Sequence, residues 1–243
     1  SALEVAMAGN QVVLIEKMGV TGGSTQMSGG LILGADSQIH KAAGSPGTAE
    51  ELADYWFRIS EEEANREMIE TIANNSGTNI DWLVEQGVDM KDEVEKLHSS
   101  HPFAFGHGVD GFDTPSGGGA GMTQVLTERI EEEGGTVMVN TAATELIMDG
   151  DVGVGVMATK ADGGQVTINA DKVILATGGF AANEEMMAEY HPWLVNYAHG
   201  GNVGNTGDGI RMAQAIGAQT LFHDSGIDLG VNHGTYYGYG EEY

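Results

Sequence analysis

The most chemically suggestive residues are a carboxylate at the end of a short apolar run and the small-residue loop that follows it. Val12–Ile15 reads as a short buried strand that closes on Glu16 and Lys17. Behind it come Gly22, Gly23, Ser24, Thr25, Ser28, Gly29 and Gly30. An acid closing the second strand of a βαβ unit is placed to hold a ribose hydroxyl. Small residues after it let backbone N–H groups approach a phosphate or a flat ring system. The bland alternative for Glu16 is a surface acid at a strand end. Two later stretches have the same character. Lys172–Ala176, KVILA, reads as a buried strand running into Ala176-Thr177-Gly178-Gly179, a sharp turn of the kind that binds ligands at the carboxyl edge of a sheet. Thr206-Gly207-Asp208-Gly209 precedes a helix over 210–216 and combines backbone donors with an acid, which suits a hydroxyl or ring N–H. Asp208 could equally be a helix-capping acid. Together the three stretches predict nucleotide binding.

Composition narrows the partners. With 36 acids against 10 bases, a formal charge of −26, the surface repels nucleic acid and anionic lipid. No apolar run approaches the roughly 20 residues a membrane helix needs. The sequence has no cysteine, which excludes disulfides, thiolate metal sites, iron–sulfur clusters and c-type haem attachment within it. The 38 glycines fall in short clusters between periodic segments and mark tight turns rather than a linker.

The positioning elements follow from periodicity and capping. Ser1–Gly9 reads as a helix stopped by glycine, which with the strand after it forms the second half of a βαβ opening. Its first strand and glycine loop are expected before residue 1. Leu31–Gly47 reads as loop. Thr48 with Glu51 forms a capping box that starts a long acidic helix through Ser76, with Leu52, Tyr55, Trp56, Ile59, Met68, Ile69 and Ile72 at helical spacing. A shorter helix spans 79–86, and Glu61–Glu63 reads as a solvated face. His98–Gly121 reads as a long loop, the kind usually kept for function. A helix over 122–133 follows, then a strand at 136–140. A meander of 145–148, 153–159 and 165–169 turns at Asp149-Gly150-Asp151, and a short helix covers 183–190.

The order of these motifs resembles the flavin domain of the fumarate reductase/succinate dehydrogenase flavoprotein superfamily. The likeness runs from SALEVAMAGNQVVLIEKMGVTGGSTQMSGG through KVILATGGFAANEEM to NTGDGIRMAQAIGAQ, and is nearest to soluble fumarate reductase-like and urocanate reductase-like members. It implies an α/β, Rossmann-like domain over 1–220 with an inserted helical segment and a small β-meander, and the start of a capping domain over 221–243. It implies FAD held by Glu16 at the adenosine ribose, with Lys17 also among the cofactor-binding residues, and by Gly22, Gly23, Ser24, Thr25, Ser28, Gly29 and Gly30 along the pyrophosphate and isoalloxazine. The backbone of Ala143 meets the adenine, and Ala176, Thr177, Gly178, Gly179 and Asp208 complete the pocket. Members with covalent FAD carry histidine where Ser24 stands, so the resemblance implies a non-covalent flavin. It also implies hydride transfer between flavin N5 and an activated C–C bond of a small-molecule substrate, with an electron donor or acceptor as partner. The Gln-x-His-Pro motif of fumarate reductases is replaced here by LFHDSGIDLGVNHG, so no catalytic residue carries over. A ketosteroid dehydrogenase-like flavoenzyme and a non-catalytic nucleotide-binding module are the alternatives. His98, His101 and His107 match no common zinc spacing and are expected on the loop near the flavin or in solvent. His223, His233, Tyr236 and Tyr237 are expected in a hinge, and no metal site is expected.

Overall fold

The computed structural model of the protein describes residues 1–60, 62–96, 103–111, 117–195 and 201–220, with the backbone alone at 231–232 and 235–236. Helix α1 (Ala2–Met7) leads into β1 (Val13–Ile15), which pairs in parallel with β5 (Thr136–Met138). Leu14 lies opposite Val137 in that pair. α5 (Gly118–Glu132) feeds β5 through the turn at Gly134 and Gly135, and packs beside α1. This parallel pair with its covering helices is the α/β part of the fold.

An inserted unit lies between β1 and α5. Its three-stranded antiparallel sheet has the order β2 (Leu31–Leu33), β4 (Gly106–Val109), β3 (Met90–Glu95). The sheet is covered by α2 (Gln38–Ala42), α3 (Ala49–Ile59) and α4 (Arg66–Glu85). The core here is one cluster of Leu52, Ala53, Ala73 and Phe105 and a second of Ile80, Val88, Met90 and Val109. Gly77 lets α4 run backbone against backbone along 35–37, where any side chain would overlap the Ala35 carbonyl.

The capping box at Thr48 forms as expected, with Glu51 N–H donating to Thr48 Oγ1 at 3.2 Å and Thr48 N–H donating to Glu51 Oε2 at 2.9 Å. The single long helix does not form. The chain breaks after Ile59, turns through Glu62 at φ +65°, and restarts at Asn65, whose side chain caps Met68 N–H. The second segment then absorbs the separate helix expected over 79–86. Leu31–Gly47 is likewise not loop, because β2 and α2 lie within it. The expected loop at 98–121 contains β4 and the first turn of α5. Glycines at 106 and 108 hid that strand: their missing side chains leave room for Leu31 and Lys91 from the two flanking strands.

The meander is β6 (Thr141–Asp149), β7 (Val152–Lys160) and β8 (Gln165–Asn169), antiparallel and in that order. Beyond it, 172–176 departs from expectation. It makes no ladder with any described strand, and Ile174 is 60% exposed and Leu175 40% exposed. β1 is similarly open on the side away from β5, with Val13 43% exposed. The chain continues through α6 (Glu184–Tyr190), a 3-10 turn at Pro192–Leu194, and α7 (Asp208–Ala215). In the tail, β9 (Val231–Asn232) and β10 (Thr235–Tyr236) form a short antiparallel pair. His98, His101, His223, His233 and Tyr237 lie outside the described residues.

Candidate functional site

Glu16 stands where β1 ends. Its carboxylate Oε1 accepts the Met18 N–H at 2.7 Å, so one oxygen serves its own turn. Its backbone continues the parallel pairing, since Glu16 N–H donates to Met138 O at 2.9 Å and Glu16 O accepts from Thr141 N–H at 2.9 Å. β6 therefore begins against the end of β1. Ala143, two residues further on, pairs with Ala158 in the meander.

Residues 202–209 join the loop after β1 to the turn after 176. Lys17 Nζ donates to Thr206 Oγ1 at 2.5 Å and to Asp208 Oδ2 at 2.7 Å, while Thr206 Oγ1 donates to Asp208 Oδ1 at 2.8 Å. Asn205 Nδ2 donates to Ser24 Oγ at 2.9 Å. On the other side Gly207 N–H donates to Gly179 O at 3.0 Å, Ala182 N–H to Asn205 O at 2.9 Å, and Asn183 Nδ2 to Thr206 O at 2.9 Å. Gly207 adopts φ +78°, and a Cβ there would press into Met186 and Phe180, so only glycine fits this junction. Thr177 packs where Gly209 has no side chain. A cavity of about 300 Å³ opens beside Leu175, Ala176, Thr177, Gly178 and Ile210.

The structure thus brings Glu16, Lys17, Ser24, Thr177, Gly178, Gly179 and Asp208 to one locality. Around Gly23 and Gly179, a Cβ would meet no atom within 4 Å. Gly29 and Gly30 do different work. The Gly29 carbonyl accepts from Gly118 N–H at 2.7 Å, the Gly30 carbonyl from Val109 N–H at 2.9 Å, and the Ser28 carbonyl from Gly119 N–H at 3.2 Å. A Cβ at Gly30 would lie 2.8 Å from Gly119 N, and one at Gly119 would overlap the Thr25 carbonyl. Thr25 and Ser28 are tied into the same turn, with Ser28 Oγ donating to Thr25 O at 2.7 Å. Gly22 faces Thr123 of α5. Gly30 is therefore glycine because it packs on the start of α5, whatever else it touches.

Sequence reasoning overlooked Asn183, Asn202, Asn205 and Thr206 as parts of this junction. The signal was the density of Asn and Gly in GGNVGNTGDG, since Asn side chains bond nearby backbone in turns. Asn202 is buried, and its Oδ1 accepts from Gly204 N–H at 2.6 Å.

His107 corrects an expectation. It is neither solvated nor on a loop: it lies in β4, fully buried, with Nδ1 3.0 Å from Phe105 O and Nε2 2.7 Å from Ser37 Oγ. Burial pushes its pKa below the ordinary value, and nearby His40 adds to the shift. The opposing contributions, from hydrogen bonds to the Phe105 and Ile32 backbone and from Asp81, do not overcome it. Among the described residues no three His, Cys, Asp or Glu side chains cluster as a metal centre. No helix there is long and apolar enough to cross a membrane.

A parallel pair ending in an acid, with glycine turns converging beside it, defines the chain as an α/β dinucleotide-binding protein. Residues 1–225 match the family model described as FAD binding domain, and the chain belongs to that family. It is 32% identical over 226 residues to a urocanate reductase of Eggerthella lenta, covering 91% of this chain and 36% of that protein. Among solved structures it is similar to a 3-ketosteroid-Δ4-(5α)-dehydrogenase of Rhodococcus jostii RHA1, with TM-score 0.81, 27% identity, and coverage of 90% of this chain and 51% of that one. A flavocytochrome c3 fumarate reductase in an open conformation gives the same TM-score of 0.81 at 24% identity, covering 90% of this chain and 38% of that one, which supports the fold. The chain spans about a third of the length of the urocanate reductase it matches, with 36% covered.

Proposed function

We propose that this chain is the flavin-holding part of an FAD-dependent oxidoreductase that reduces an activated C–C double bond, with an α,β-unsaturated carboxylate as the substrate class. The observation that carries this reading is the convergence of three loops on residues 205–208, with open space over Gly23 and Gly179. The residues fit a flat ligand bearing a diphosphate. Glu16 keeps one carboxylate oxygen for a ribose hydroxyl, and the Gly22–Thr25 and Thr177–Gly179 turns present backbone to the diphosphate and ring. Ala143 offers its backbone to the adenine. When bound, the flavin supplies hydride transfer at N5. The protein's own residues bind and orient it, and Ser24 offers a hydroxyl already engaged by Asn205 rather than an imidazole that could form a covalent tether.

Residues 1–220 form this domain, and 221–243 open a capping domain that brings the substrate groups. The exposed apolar residues of β1 and 172–176 support a further parallel strand lying between them, with its own glycine loop. The likeness to a ketosteroid dehydrogenase at 27% identity favours a second reading, in which the cap is apolar and the substrate a steroid. The test is to express the chain joined to its upstream and downstream coding sequence and to assay reduction of fumarate, urocanate and a ketosteroid with a reduced viologen as electron donor. A yellow protein that releases its flavin on denaturation and reduces an unsaturated carboxylate is expected. A colourless protein that takes up no FAD refutes the reading, leaving a non-catalytic nucleotide-binding module. Flavin retained by the denatured chain refutes the non-covalent assignment.

A further inference from the structure

We infer that Lys17 is a positioning residue that clasps the TGDG turn onto the loop after β1, and is not a ligand of the cofactor diphosphate. The inference rests on the flavin-site reading above. Its ground is that the ammonium is already spoken for. Lys17 Nζ lies 2.7 Å from Asp208 Oδ2 and 2.5 Å from Thr206 Oγ1, and that hydroxyl donates its own proton to the other Asp208 oxygen at 2.8 Å. The three groups close a ring in which the Asp208 carboxylate receives two charge-assisted bonds, one of them from the ammonium, and the charges cancel. The ammonium keeps a third N–H, but an anion approaching it meets a charge that Asp208 already balances and the repulsion of that carboxylate.

The clasp is short and spans distant sequence. β1 ends just before Lys17, and Asp208 opens α7, so one side chain fixes two elements. The Lys17 stem lies along the junction, since a Cβ on Gly204 would sit 3.2 Å from Lys17 Cε and 3.2 Å from Met18 Cγ. Asn205 adds a second tie from the same turn to Ser24, and Gly207 and Asn205 backbone groups tie it to Gly179 and Ala182. The spacing between the Glu16 end and the Thr177–Gly179 end of the site is therefore set through residues 205–208. The side chains of Lys17 and Asp208 are 24% and 38% exposed, which leaves the pair too wet to hold by Coulomb attraction alone; the shared Thr206 hydroxyl gives it direction.

The test uses the protein expressed from the whole coding sequence that carries this chain, and three variants: Lys17→Met, Thr206→Val, and the reversed pair Lys17→Asp with Asp208→Lys. Hydrogen exchange of the Gly207, Ala182 and Met18 amides is followed in the ligand-free chain, and FAD affinity is titrated by flavin fluorescence. Lys17→Met is expected to lower protection of the Gly207 and Ala182 amides at least about tenfold, as the loss of both ammonium bonds implies, with FAD affinity falling in step. Thr206→Val should do so more weakly, and the reversed pair should recover part of both. Unchanged amide protection in Lys17→Met overturns the clasp, whether or not FAD affinity falls; an affinity loss alone would make Lys17 a phosphate ligand. A wild-type chain that takes up no FAD counts against the flavin-site reading, while the exchange arm still decides the clasp.

Discussion

Buried His107 makes stability acid-sensitive in a way the rest of the molecule does not hide. The imidazole is fully buried in β4 beside the start of α2, with Ser37 and Phe105 as hydrogen-bond partners. Phe105 O can only accept, so Nδ1 carries the proton; Nε2 then accepts from the Ser37 hydroxyl, whose oxygen in turn accepts the His40 N–H at 2.9 Å. A second proton on Nε2 would turn the Ser37 hydroxyl away and place a charge in the core beside His40, whose own Nε2 is buried with no hydrogen-bond partner among the described residues. The folded-state pKa accordingly lies below the ordinary value of 6.5, chiefly through desolvation. The sign follows from linkage. Above pH 6.5 both states are neutral and nothing is lost. As pH falls below 6.5 the unfolded chain takes up the proton first, and stability drops by up to about 1.4 kcal/mol per pH unit until the folded-state value is reached. For a chain of this size each kcal/mol moves the melting temperature by roughly 2–4 °C. Urea midpoints measured between pH 8 and 5 should be flat above 6.5 and fall below it. In His107→Gln, which has no proton to gain, the fall should be shallower whatever its starting stability. Parallel curves for the two proteins over pH 6.5 to 5 would refute the assignment.

Two further outcomes test the packing. Gly119→Ala puts a methyl group into the Thr25 carbonyl and within 2.5 Å of Ser28 Oγ, and should cost about 1–3 kcal/mol as an overpacked backbone contact, read as a lower urea midpoint with an unchanged slope. Ile174→Asp should leave the stability of the 243-residue chain within about 0.5 kcal/mol, because the side chain is 60% exposed; in the longer protein, where a strand is proposed against it, the same substitution should lower the melting temperature by several degrees.

The parts of the fold legible in the sequence are those whose signal is local. The Thr48 capping box, the 149–151 hairpin turn and the short run ending on Glu16 each declare themselves within a few residues, and each is found where it was expected. The inserted sheet was not legible, because β4 is Gly106-His107-Gly108-Val109. Two of its four residues have no side chain, and the histidine reads as polar. Its strand character comes from Leu31 and Lys91 filling the space the glycines leave. The break between α3 and α4 was missed for a related reason. Helical spacing persists across 59–68, while the turn there is set by tertiary packing of the two helices on Phe105 and by the Asn65 cap.

The candidate site shows the opposite asymmetry. Its glycines were legible, but their reasons were mixed. Gly30 is small because α5 begins against it, and Gly207 because Met186 and Phe180 do, and both stand at positive φ, so glycine at those two positions follows from the protein's own structure. Gly23 and Gly179 both leave open space, but Gly23 stands at φ +51°, a backbone conformation that itself calls for glycine, whereas at Gly179 neither a positive φ nor packing accounts for it. Glycine costs conformational entropy wherever it stands, so Gly179, which fills no close contact on a loop held in place by residues 205–208, is better explained by something that approaches it from outside. For Gly179 that argument can be sharpened to a measurement. Gly179→Val should leave the stability of the ligand-free chain nearly unchanged and weaken FAD binding at least tenfold. Equal losses in both would mean that the open space over Gly179 belongs to the protein's own packing and not to a ligand.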